Sequence, residues 1–210
     1  MSTELLTNGK IDHVFFINLE RRKDRLVEIE SEVNKYGIIG ERFNACTHVN
    51  GAVGCANSHL EVLKLAKSRN YENVLILEDD FQFLVSKEEF EMELSRFFTY
   101  AETHSYDVCM FSYNLKESSD IENTPYLKRV LDAQTASGYL VNRDYYDKLI
   151  TLFEWANPLL EETGQHWIYS NDQVWKRLQR TDNWVCFNTR IGKQRPGYSD
   201  NGNAFTDYGC

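Results

Sequence analysis

Breaks are scarce in this sequence: it holds three prolines, no CxxC pair and no internal repeat. No apolar run exceeds about four or five residues, which is too short for a transmembrane helix. The start, "MSTELLTNGKIDH", lacks a basic segment followed by an apolar one, so a secretory leader is not expected and a cytoplasmic location is. Positive charge is also in short supply. Lys and Arg number 23 against 32 Asp and Glu, a net charge of −9 that argues against nucleic acid as a main partner. The five cysteines have no zinc-type spacing and read mostly as small buried hydrophobes in a reducing compartment, with Cys210 exposed and incidental. The glycines of "GAVGCANSHL" form neither a Walker loop nor GxGxxG. Ser58 lacks a nucleophile elbow, which disfavours a serine hydrolase, and His59 alone reads as a hydrogen-bonded helix histidine rather than a ligand.

What is present is an alternation of strand and helix patterns. Strands are expected at "HVFFIN" (13–18), "ERFNA", "NVLIL", "DVCMFSY" (107–113), "ASGYLVN" (136–142) and "NWVCFN". Helices are expected over 20–36, 55–69, 87–100, 143–153 and 171–179. The polar stretch "NLKESSDIENTPY" reads as a flexible loop, and the final twenty residues show little periodicity. The pattern predicts one α/β domain over 1–210 with a mainly parallel central sheet flanked by helices. Its ligands would sit beyond the carboxyl ends of the strands, near Asn18, Glu78 to Asp80 and Ser112.

"NVLILEDDFQF" runs an apolar strand into three carboxylates, Glu78, Asp79 and Asp80. Such acids are either a solvated turn or a site for an oxygen-seeking cation such as Mg²⁺ or Mn²⁺. In extended backbone Glu78 and Asp80 would face one way and Asp79 the other. "INLERRKDR" sets Asn18, Arg21, Arg22 and Arg25 behind the first strand, either as an anion cradle or as a solvated helix face. Asp172 in "NDQVW" reads alone as a helix cap, and "PGYSDNG" as a plain turn.

In order, "FFINLERRKDRL", "GAVGCANSHLEVLKLA", "NVLILEDDFQF", "TASGYLVNRDYYDKLI", "NDQVW" and "QRPGYSD" resemble glycosyltransferase family 25 over about residues 12–200. That family includes lipooligosaccharide and collagen galactosyltransferases. The resemblance implies a GT-A-type fold, with a donor-binding half at about 12–115 and an acceptor-side half at about 116–205. It further implies metal-dependent, inverting transfer of a hexose, galactose or glucose, from a UDP-sugar to a glycan, lipid-linked or protein hydroxyl. It assigns Asp80, and secondarily Glu78, to Mn²⁺ or Mg²⁺. Asn18, Leu19, Arg21, Arg25, Ser58, His59 and Asp79 fall to the donor, and Asp172 or Asp200 to catalysis. Ala52 and "NDQ" depart from the family's commoner acidic and proline-containing forms. The readings from other classes are a carbohydrate-binding or assembly protein that keeps only the fold, and a metal-dependent nucleotide-sugar hydrolase.

Overall fold

A computed structural model describes residues 10–199, 204–207 and 209–210. Its first part is a β-α-β-α-β run: β1 (His13–Asn18), α1 (Lys23–Lys35), β2 (Glu41–Asn44), α2 (Gly51–Ser68) and β3 (Asn73–Glu78). β4 (Phe81–Phe83), α3 (Lys87–Ala101), β5 (Val108–Met110), β6 (Asn114–Asp120), β7 (Leu127–Gln134) and β8 (Gly138–Asn142) follow. A 3-10 turn leads into α4 (Tyr146–Thr163), and three single-turn helices come next: α5 (His166–Tyr169), α6 (Asn171–Val174) and α7 (Lys176–Gln179). β9 (Trp184–Phe187), β10 (Gly192–Gln194), β11 (Gly197–Ser199) and β12 (Ala204–Thr206) complete the elements.

Eight strands form the central sheet in the order β2-β1-β3-β8-β5-β9-β7-β6. β1 pairs in parallel with β2 and β3, and β5 with β9, whereas β8 and β7 run against their neighbours. Most strands therefore share one direction, as expected, within a sheet whose ladders are mixed. The apolar runs of β1 and β3 are buried on both faces, the condition that produces unbroken Val, Ile, Leu and Phe in parallel strands. Phe15, Ile17, Val74 and Ile76 pack on the face covered by α2 and α4, whereas Phe16, Leu75 and Leu77 pack with α1 and α3.

Several expectations need correction. The stretch that reads as a flexible loop carries β6, paired antiparallel with β7. β6 lies at the sheet edge with both faces largely in solvent, so it has no hydrophobic alternation to betray it. α2 begins at Gly51 rather than 55, because the Asn50 side chain caps it by accepting from the Ala52 N–H. Gly54 belongs inside that helix: a Cβ there would lie 2.7 Å from the Cys46 carbonyl oxygen, so its absence lets α2 approach the 46–48 backbone. α4 runs ten residues beyond its expected end at 153, reaching Thr163. The expected 171–179 helix divides at Trp175. The final twenty residues contribute short strands, and Cys210 is buried rather than exposed. No helix among the described residues is long and apolar enough to cross a membrane.

Candidate active site

β1 and β3 are adjacent and parallel, so their carboxyl ends deliver "INL" and "EDD" to one place. Beyond them opens a cleft lined by Leu19, Arg21, Arg25, Cys55, Glu78, Asp79, Asp80 and Gln194, among others, with an empty volume of about 760 Å³ including its open mouth. Strand alternation does not survive past Glu78, because residues 79 and 80 form a turn. Asp79 and Asp80 consequently share one partner. The Arg25 guanidinium donates to Asp79 Oδ1 at 2.9 Å and to Asp80 Oδ2 at 3.0 Å, and all three side chains are largely buried. The expected split of Glu78 and Asp80 against Asp79 is thus replaced by Asp79 and Asp80 on Arg25, with Glu78 apart.

Phe81 fixes this turn. Its ring fills the space over Gly138 and Gly192, where added Cβ atoms would come within 2.5 and 2.2 Å of it. Pairing of β4 with β10 also carries Gln194 to the acids. Its Nε2 donates to Asp80 Oδ2 at 3.2 Å, and the Arg195 N–H donates to the Asp80 carbonyl at 2.7 Å. Arg195 itself pairs with Glu28 on α1.

Asn18 does not line the cleft. It is buried, donating to Asp79 Oδ2 at 2.7 Å while accepting from Arg42 Nε at 3.0 Å, so it positions an acid. Ser58 lines the cleft, but its hydroxyl is occupied, donating to the Gly54 carbonyl and accepting from the Cys46 N–H. His59 is fully buried between Tyr139 Oη at 2.8 Å and Glu78 Oε1 at 3.0 Å. Ser112 is also buried, hydrogen-bonded to Ser137.

The acids are not electrostatically equal. Burial pushes the Asp80 carboxyl up to about 7, reinforced by Glu78 and only partly offset by Arg25. Burial also raises Asp79 against the pull of Arg25. For Glu78 burial is outweighed by His59 and the Cys55 thiol, which hold it below its ordinary value. Asp80 Oδ1 is buried with no hydrogen-bond partner among the described residues. A carboxylate oxygen orphaned beside two further acids fits a cation site, and an oxygen donor set fits Mg²⁺ or Mn²⁺.

A second cavity abuts the first. Cys55, Glu78 and Gln194 line both, and Asp172, Thr135, His166 and Cys210 line the second alone. Asp172 Oδ1 accepts from Ser170 Oγ at 2.9 Å and Oδ2 from the Thr135 N–H at 3.2 Å. Thr135 has φ +88°, an uncommon conformation for a β-branched residue, and it aims its N–H at the carboxylate. Cys210 Sγ lies 3.0 Å from Thr135 Oγ1. Asp200, the other catalytic candidate, lies outside the described residues. Sequence reasoning passes over Cys55, Thr135 and Gln194. Only Cys55 carries a local signal, one helical turn before His59.

The family model for glycosyltransferase family 25 (LPS biosynthesis protein) matches residues 48–163, more than half of the chain. The chain belongs to glycosyltransferase family 25. The matched span runs from the approach to α2 to the end of α4 and includes the three acids. Asp172 lies beyond the span. Among solved structures, one similar chain is a glycosyltransferase involved in the glycosylation of the major capsid of PBCV-1. It is 8% identical with TM-score 0.45, over 84% of this chain and 93% of that one. Others are A197 from STIV (14%, TM-score 0.42, 83% and 80%) and the mannose-1-phosphate geranyltransferase of Thermus thermophilus (10%, 0.45, 87% and 73%). A search of curated proteins gave no match.

Proposed function

We propose that this family 25 glycosyltransferase moves a hexose, galactose or glucose, from a UDP-sugar to a hydroxyl of a glycan, lipid-linked or protein acceptor, with inversion. The observation that carries the reading is the contact of two cavities across one wall, with Asp79, Asp80 and Arg25 on one side and Asp172 on the other. The strand-end cleft takes the nucleotide donor and the second cavity the acceptor, so the anomeric carbon is presented near Glu78. Arg21 and Arg25 offset the diphosphate charge, while Asn18 and Arg25 fix Asp79 toward the donor.

Asp80, and secondarily Glu78, would hold Mn²⁺ or Mg²⁺, which when bound neutralises the diphosphate and stabilises the departing nucleotide. Asp172, steadied by Ser170 and Thr135, takes the acceptor hydroxyl proton. That oxygen bonds to the anomeric carbon from the face opposite the diphosphate, whose C–O electron pair leaves with UDP. One in-line displacement inverts the centre.

The test is turnover of a nucleotide-sugar panel with Mn²⁺, with excess EDTA, and with and without hydroxyl acceptors. Acceptor-dependent UDP release that EDTA abolishes is expected. Release unchanged by acceptor would make the protein a hydrolase, and failure of any nucleotide sugar to bind would leave a fold-only protein.

A further inference from the structure

The wall between the two cavities contains a group that the transfer reaction does not use in full. Cys55 and His59 occupy one face of α2, four residues apart, and Glu78 reaches them from the end of β3. His59 Nε2 is 3.0 Å from Glu78 Oε1, Cys55 Sγ is 3.4 Å from the same oxygen, and all three ligand atoms lie within 4.8 Å of one another. We propose that Cys55, His59 and Glu78 form a binding site for a borderline-soft divalent cation, Zn²⁺ in the first instance, centred away from the oxygen-donor position at Asp80 but drawing on Glu78, the secondary ligand there.

Three features support it. The donor set is one sulfur, one imidazole nitrogen and one carboxylate oxygen, which selects Zn²⁺ over Mg²⁺ or Mn²⁺. Ligands around tetrahedral zinc stand about 3.3–3.7 Å apart, so the 3.0 Å His59–Glu78 pair opens slightly while no pair needs to close by more than about 1 Å. Tyr139 Oη, 2.8 Å from His59 Nδ1, supplies the partner that orients a metal-bound histidine. Binding is balanced in protons and charge. The Cys55 thiol loses its proton to solvent, and the His59 proton sits on Nδ1 facing Tyr139, leaving Nε2 for the metal. Thiolate, carboxylate and Zn²⁺ then sum to zero in a largely buried place. The fourth position opens toward the cavities that Cys55 and Glu78 line. An ion there takes Glu78 out of the passage between donor and acceptor. On the transferase reading, on which this consequence alone rests, Zn²⁺ inhibits rather than supports turnover.

The binding test needs no sugar. Metal-free protein is titrated with Co²⁺, and a near-ultraviolet sulfur-to-cobalt absorption band at one equivalent is expected, reversed by Zn²⁺ and left intact by excess Mn²⁺. Cys55→Ser should remove the band, and His59→Gln should weaken binding at least tenfold. No band, or an undiminished band in Cys55→Ser, overturns the proposal. Should either variant fail to fold, X-ray absorption of wild-type protein with one equivalent of Zn²⁺ decides: one sulfur in the shell upholds the site, and an all-oxygen or nitrogen shell overturns it. With turnover in hand, Zn²⁺ should slow wild type at least tenfold more than Cys55→Ser, each relative to its own zinc-free rate. A bound thiolate-ligated ion with no transfer activity under any donor would sink the transferase reading and leave the site standing.

Discussion

The two cavities are built differently. The strand-end cleft is assembled by neighbours: parallel strands β1 and β3 end side by side, and α1 returns Arg25 to the acids that β3 delivers. The second cavity is assembled from afar, with Asn50 and Ala52 at the start of α2, Gln134 to Ala136 at the end of β7 and just beyond it, and His166 to Asp172 along single-turn helices. The first site is held by buried ion pairs and by hydrogen bonds from Asn18 and Gln194. The second relies on one strained residue, Thr135, and helices too short to stand without packing. On the proposed division of roles, a pocket held by buried ion pairs suits a donor whose diphosphate must be placed identically at each turnover.

The largest effect should come from the rigid side. Asp80→Asn keeps the shape of the turn and its contacts with Arg25 and Gln194 but removes the charge proposed to hold the cation. Transfer should fall about a thousandfold or more, the worth of several kcal/mol of charge stabilisation. Steady-state UDP release with Mn²⁺ measures it; a variant within tenfold of wild type would remove Asp80 from the metal role.

Asp172→Asn probes the other side. kcat should drop about a hundredfold or more, as for loss of a positioned general base, while the Kd for UDP stays within twofold. Equal losses in both would mean that Asp172 shapes the site rather than taking a proton. The contrast between the two variants, one failing in the cation site and the other in chemistry alone, is the sharpest check on the division into two cavities.

Gly192→Ala asks whether the rigidity of the strand-end cleft is packing or only charge. The added methyl meets the Phe81 ring at 2.2 Å with the Gln82 carbonyl close behind at 3.2 Å. An overpacked core of this kind costs about 1–3 kcal/mol, seen as a lowered Tm, and the displaced ring should also weaken donor binding through the Asp79–Asp80 turn. A lowered Tm with unchanged UDP affinity would detach Phe81 from the site.

The same contrast governs what can be read from sequence. β1, β3 and the acids are legible because burial on both faces enforces uninterrupted apolar residues, and because charge after such a run is conspicuous. Gln194 is not, since it depends on β4 pairing with a strand more than a hundred residues later. β6 is hidden by its exposure. Gly54 looks like a loop residue until the Cys46 carbonyl shows why a helix needs it there. Glu78, Asp79 and Asp80 do not alternate for a local reason: alternation holds in extended backbone, and the chain turns after Glu78. His59 is hydrogen-bonded, as its place on a helix suggests, although the neighbour that makes it interesting, Cys55, sits only one helical turn away.

The smallest effect falls outside both cavities and serves as their control. Asp182 accepts from Tyr145 Oη at 2.5 Å and pairs with Lys148 at 2.6 Å, while Trp184 Nε1 donates to the same Tyr145 oxygen at 3.0 Å. Burial raises its carboxyl, but Lys148, Tyr145 and Thr181 outweigh burial and leave it below its ordinary value. A carboxylate depressed in the folded state adds stability that is present above its unfolded pKa, near 4, and lost as pH falls through the lower folded pKa. Asp182→Asn should therefore lower stability by about 1 kcal/mol at pH 7, with the deficit shrinking as pH falls below about 4. Urea midpoints for both proteins across that range measure it. Donor affinity and transfer should not move, because neither cavity includes Asp182. A deficit that stays constant into acid would mean that the ionised carboxylate is not what Tyr145 and Lys148 hold. A fall in turnover at pH 7 would mean that the β9 side of the sheet transmits to the Asp172 cavity, and the two regions would no longer be separable.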